Sequence, residues 1–164
     1  MSDKTLPIWV KEDEILEALE EHSVIVVISP TGTGKTTQVP KMLLEAGYAR
    51  GGKVIGVTQP RRIAATSVSR RVAEERQVQL GEEVGYKIRF DDQTSPDTQL
   101  KFMTDGILLM EAQSDPQLSK YSVIIVDEAH RMSGHYFGNE VKLTKRYKLG
   151  QVVGGHCRNF LLMT

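Results

Sequence analysis

What this sequence lacks narrows the field before any motif is read. Cys157 is the only cysteine in 164 residues, so no internal disulfide and no cysteine-rich zinc site can form, and a reducing compartment fits. No apolar run approaches the roughly 20 residues of a membrane span. The opening Met1-Ser-Asp-Lys-Thr-Leu6 has no apolar stretch of signal-peptide length. The expectation is an intracellular domain, cytoplasmic or nuclear, with no membrane contact. Net charge is absent as well: 21 Lys plus Arg stand against 21 Asp plus Glu, so no global field draws the chain toward a polyanion. Any such contact must come from local clusters. Internal repeats are also missing, and no set of stacking aromatics offers base-specific reading of a single strand.

What remains is ordinary in bulk and specific in detail. The length suits one domain, and 40% hydrophobic with 26% charged residues is the composition of a globular protein. Val24–Ile28, Val123–Val126 and Phe160–Met163 are short apolar runs without polar alternation, the pattern of strands buried on both faces of a parallel sheet. Lys53–Thr58 and Gln99–Thr104 are weaker candidates. Helical periodicity falls between them. Glu12–His22 carries Ile15, Leu16 and Leu19 on one face; Lys35–Ala46 follows the first strand; Arg62–Glu75 follows the second, with Ile63, Val68 and Val72 inward; Asp105–Ala112 is shorter. Strands alternating with helices predict an α/β fold, an open, mostly parallel sheet with helices on both faces. Gly51-Gly52 and Asp91–Asp97 read as loops.

The chemistry is concentrated in two places. Immediately after the first strand, Ser29-Pro-Thr-Gly-Thr-Gly-Lys-Thr36 leads into a helix. Glycines let successive backbone N–H groups converge on phosphate oxygens, and the helix dipole adds positive potential. In such a P-loop Lys35 reaches the β- and γ-phosphates and the Thr36 hydroxyl binds Mg²⁺. Ser29 stands where the usual pattern has Gly, a modest departure because a small residue still permits the turn. The second place is Asp127-Glu-Ala-His130, at the end of the strand Val123–Val126. Ligands collect at the carboxyl ends of strands in open α/β sheets. Two adjacent carboxylates there divide the work: Asp127 holds Mg²⁺ through water, and Glu128 orients and deprotonates an attacking water.

With these motifs in order, the chain resembles the DEAH-box helicases of helicase superfamily two, mostly RNA-dependent ATPases. Thr31–Gln38 looks like motif I, Thr58–Arg62 like motif Ia, Thr104-Asp-Gly106 like motif Ib and Asp127–His130 like motif II. Gly85–Phe90 resembles the segment that follows motif Ia in the family. The resemblance implies a P-loop NTPase of RecA-like fold with ATP and Mg²⁺ as cofactors. It implies nucleotide contacts from Thr31, Gly32, Thr33, Gly34, Lys35, Thr36 and Thr37, and an adenine-stacking role for Arg71. A solvated helix arginine is an equal reading of Arg71. His130 would link the γ-phosphate site to motif III. Arg61, Arg62 and Thr104 would touch the RNA backbone, which suits positive and hydroxyl donors and carries little base preference.

The departures belong to the same reading. Arg131-Met132 replaces the family's usual Glu-Arg, and residues 131–159 form a divergent segment that matches poorly. Lys142, Lys145, Arg146 and Lys148 could touch RNA, with a solvated face the favoured reading. His135 and His156 lack partners at metal-ligand spacing. Residues 1–22 form a helical lead-in. The expectation is a single ATP-binding domain, the first RecA-like domain, truncated at motif III, which would begin at Thr164. A second RecA-like domain would be missing, and its arginine fingers with it. The runner-up is a non-catalytic, nucleotide-dependent RNA-binding fragment. A P-loop small-molecule kinase explains neither Thr58–Arg62 nor Asp127–His130.

Overall fold

Side-chain alternation along the strands decides which helix covers which face of the sheet. A computed structural model of the chain describes residues 4–129 and 160–164. The five expected strands are present as β1 (Val24–Val27), β2 (Val54–Gln59), β5 (Leu100–Thr104), β6 (Tyr121–Val126) and β7 (Phe160–Met163). Two more complete the sheet: β3 (Val84–Ile88) and β4 (Asp91–Gln93). The order is β1-β7-β6-β2-β5-β3-β4, parallel throughout except β4, which runs antiparallel to β3.

Four helices stand where the periodicity placed them: α1 (Glu12–Glu21), α2 (Lys35–Glu45), α3 (Arg62–Arg76) and α4 (Asp105–Ser114). A short 3-10 helix, Pro7–Lys11, leads into α1. One core joins α1, α2 and α3 to strand residues such as Ile55, Val57, Phe102, Val123, Ile125 and Leu161. The other joins α4 to residues of opposite parity, Met103, Ile124, Val126 and Phe160. Successive strand side chains point to opposite faces, so β6 feeds both cores from one unbroken apolar run.

Three expectations need correction. Val24–Ile28 is not buried on both faces. Because β1 lies at the sheet edge, Ile25 is buried, while Val26 is 56% and Ile28 79% exposed on the side away from α1. Ile63 does not point inward either; at 82% exposed it sits in the first turn of α3, whose buried face is Ala65, Ser69, Val72 and Ala73. The polar stretch that read as a loop contains β4, because Asp91, Asp92 and Gln93 pair with Ile88, Lys87 and Tyr86. Strand pairing uses backbone groups, so a polar edge strand carries no hydropathy signal.

Candidate functional site

The insertion of β7 between β1 and β6 brings two distant loops together. Val27 registers with Met163, and Val126 with Leu162, so the carboxyl ends of β1 and β6 lie level on either side of β7. Thr164 N–H donates to Val27 O (3.1 Å), and Ser29 N–H donates to Thr164 O (3.4 Å), extending the pairing into the loop. Loop Ser29–Gly34 follows β1, and Asp127-Glu128 follows β6.

The loop is closed by its own polar groups. Gly32 and Gly34 take φ values of 85° and 89°, a region that favours glycine. Gly34 has a second constraint: a Cβ there would lie 2.8 Å from Leu6 Cδ1 of the lead-in. Lys35 Nζ reaches back to donate to Ser29 O at 2.9 Å. The Thr33 hydroxyl donates to Pro30 O (3.0 Å) and meets the Ser29 hydroxyl at 2.8 Å. Thr37 Oγ1 lies 3.4 Å from Gly34 O. The loop thus stands curled before the N-terminus of α2, where the helix leaves its first backbone N–H groups without helical partners.

On the opposite wall Asp127 is buried and multiply held. Its Oδ2 accepts from Thr36 Oγ1 at 3.0 Å and from Gln59 Nε2 at 2.8 Å, and its Oδ1 accepts from Glu128 N–H at 2.9 Å. Glu128 adopts φ 52°, a left-handed conformation uncommon for a non-glycine residue and concentrated at functional sites. Lys35, Thr36, Asp127, Glu128 and Arg71 line one cleft of about 560 Å³ with the loop glycines. Thr31 and Thr37 also face this cleft.

The donor set suits a hard cation. A hydroxyl and a carboxylate 3.0 Å apart are oxygen ligands of the kind Mg²⁺ takes. No group of three His, Cys, Asp or Glu converges among the described residues. An ion here would therefore complete its shell with water and phosphate oxygens, which is the habit of Mg²⁺.

Other predicted residues fall elsewhere. Arg61 and Arg62 follow β2 and Thr104 ends β5; Gln59 registers with Thr104, so the three share the carboxyl edge of adjacent strands, outside the cleft lining. The turn after β3, the strand beside β5, adds Arg89 and Phe90 to that edge. Phe90 is 91% exposed at φ 66°, with the Arg89 guanidinium 4.9 Å from its ring centre. Sequence reasoning passed over both as site residues, although an aromatic beside a cation at a turn is a readable signal. It also assigned no role to Gln59, Gln38 or Leu6. His130, His135, His156 and segment 131–159 lie outside the described residues.

Comparison with known proteins gives the family of the chain. The family model described as DEAD/DEAH box helicase matches residues 10–164. The chain belongs to that family. Among curated relatives, the pre-mRNA-splicing factor ATP-dependent RNA helicase DEAH10 of Arabidopsis thaliana is 58% identical over 132 residues, covering 80% of this chain and 18% of its own length. The ATP-dependent RNA helicase HrpA of Borreliella burgdorferi is 55% identical over 133 residues, 81% of this chain and 16% of its own. The chain thus spans less than a fifth of either relative. Its sheet and helices are those of a RecA-like α/β helicase domain. No helix among the described residues is long and apolar enough to cross a membrane.

Proposed function

We propose that residues 1–164 are the ATP-binding motor domain, the first RecA-like domain, of an ATP-dependent RNA helicase acting in the cytoplasm or nucleus. The observation that carries this reading is the hydrogen bond from Thr36 to Asp127, which joins residues 91 positions apart in one cleft with Lys35 and Glu128. The backbone N–H groups of the loop and Lys35 hold the β- and γ-phosphates. Lys35 Nζ, now on Ser29 O, exchanges that carbonyl for phosphate oxygens. Thr36 and Asp127 would hold Mg²⁺, which when bound would supply charge neutralisation to the phosphates. Glu128, with its backbone fixed by Asp127, orients a water and takes its proton. Thr37 supports the loop, Arg71 stacks on the base, and His130 couples the γ-phosphate to the segment after β7. A second RecA-like domain completes the site for hydrolysis. RNA lies with its backbone along the carboxyl edge of β2 and β5, on Arg61, Arg62 and Thr104.

The test is Lys35→Ala. The side chain supplies charge to the phosphates rather than core packing, so the variant should keep its melting temperature and lose most affinity for a fluorescent ATP analogue in Mg²⁺. Unchanged affinity would remove the phosphate assignment.

A further inference from the structure

Lys41, on the second turn of α2, has a fully buried side chain. A buried ammonium requires a counter-charge and further hydrogen bonds. Its partner is Glu75 of α3: Lys41 Nζ makes a short contact with Glu75 Oε2. The same oxygen accepts from Gln38 Nε2 at 3.1 Å. Gln38, itself buried, accepts at Oε1 from Trp9 Nε1 (3.1 Å) and donates to Thr37 Oγ1 (2.9 Å). Glu75 therefore commits one oxygen to α2, and its other oxygen, Oε1, accepts from Arg71 Nε at 3.0 Å. Burial pushes the Glu75 carboxyl up, but the hydrogen bonds from Lys41, Gln38 and Arg71 outweigh it and hold it below the usual carboxylate range.

Arg71 is the outermost member, 66% exposed and on the wall of the cleft. An ordinary surface pair of Arg and Glu one turn apart is mobile and contributes little. Here the acid is immobilised before the arginine meets it, so less side-chain entropy is lost when Arg71 is held. We infer that Trp9, Gln38, Lys41 and Glu75 are positioning residues for the nucleobase, holding the Arg71 guanidinium at a fixed distance from the phosphate loop. The inference rests on the nucleotide reading of the cleft. Physically, α2 carries both the proposed phosphate-binding Lys35 and the anchor Lys41, so one helix sets the span from the phosphates to the base. Trp9 ties the 3-10 helix of the lead-in to that span, and Leu6 touches the loop at Gly34.

The experiment separates base from phosphate. Unlabelled ATP and inorganic tripolyphosphate, each with Mg²⁺, compete against a fluorescent ATP analogue on the 164-residue chain. Three variants are compared with the parent: Arg71→Ala; the pair Lys41→Met with Glu75→Gln, which removes the buried ammonium and its half-buried carboxylate partner at similar volume; and Trp9→Phe, which removes the indole N–H. Arg71→Ala and the pair should each weaken ATP by about three- to tenfold, the scale of one lost cation–π contact, with tripolyphosphate unchanged within about twofold. Combining them should cost no more than either alone, because residues acting through one group are not additive. Trp9→Phe should shift ATP in the same selective sense by a smaller factor, which decides the matter if the charge-pair variant does not fold. Equal losses for ATP and tripolyphosphate, additive losses, or no loss in any variant would overturn the positioning role. A parent that binds neither ligand would instead overturn the nucleotide reading beneath it.

Discussion

Ser29 shows how much one backbone angle decides. The residue stands where glycine is usual, yet its φ is not among the positive values, so its Cβ meets no strain. Its contribution to the loop is mainly the carbonyl that accepts from Lys35, which any residue supplies. The hydroxyl adds a 2.8 Å contact with Thr33. Ser29→Gly should therefore bind a fluorescent ATP analogue within about twofold of the parent, the effect of one part-exposed neutral hydrogen bond being small. A tenfold gain would show that the serine compromises the loop. Gly85 is the opposite case. A Cβ at this position would lie 2.3 Å from the backbone oxygen of Gln93, which no rotamer change relieves. Gly85→Ala should lower stability by about 1–3 kcal/mol through forced backbone movement, read as a drop in urea midpoint. An unchanged midpoint would mean that β4 moves away from β3 without penalty.

At the scale of elements, β5, α4 and β6 are fastened by a buried polar cluster. Lys101 of β5 and Tyr121 of β6 both donate to the Glu111 carboxylate of α4. Burial pushes the Glu111 carboxyl up, and hydrogen bonds from Lys101 and Tyr121 outweigh it, leaving it below the usual range. Glu75, between α2 and α3, is lowered as well. A carboxyl that is lower in the fold than in the unfolded chain stabilises fully above its unfolded value. It loses that stabilisation as pH falls through the folded one. The urea midpoint should therefore hold from neutrality down to about pH 5 and drop below about pH 4, the ordinary carboxylate range. In the Lys101→Met, Glu111→Leu pair the acid-side drop should be shallower. An equally steep drop would place the acid sensitivity elsewhere.

Across the whole molecule, the cations lining the cleft among the described residues are Lys35 and Arg71. In the proposed site Lys35 serves the phosphates in the ground state, and Arg71 sits by the base. An arginine directed at the transferring phosphoryl group is worth about 10³–10⁵ in rate, or roughly 4–7 kcal/mol. In the proposed reading a second RecA-like domain supplies that charge, so the 164-residue chain by itself should bind ATP and release phosphate far below about 1 s⁻¹, and should not displace a strand from duplex RNA. A malachite-green assay checks the first and strand displacement the second. Turnover near 1 s⁻¹ or above that Glu128→Gln abolishes would mean that copies of the chain complete one another's sites. RNA retained on filters should fall as salt rises, with little difference among homopolymers, if Arg61, Arg62 and Thr104 contact phosphate rather than bases as proposed. A flat salt series would count against that edge.

Sequence alone determined the elements that announce themselves locally. The apolar runs of β6 and β7 and the buried stripe of α1, Ile15 and Leu19, are set by which side chains leave water. The phosphate loop was legible because its glycines, Lys35 and Thr36 act within eight successive residues, and Asp127-Glu128 because an acidic pair closes an apolar strand. Tertiary structure decided what depends on neighbours in space. β4 forms through backbone pairing that polar residues satisfy as well as apolar ones, so hydropathy was silent there, whereas β3 buries Val84 and Tyr86 at alternate positions, a short signal that Gly85 and Lys87 interrupt. The exposure of Val26 and Ile28 follows from the place of β1 at the edge, a property of strand order. The meeting of Thr36 with Asp127, of Trp9 with Gln38, and of Gln38 and Lys41 with Glu75, depends on the crossovers that set β7 between β1 and β6 and α2 beside α3. No local pattern encodes contacts between residues so far apart in the chain.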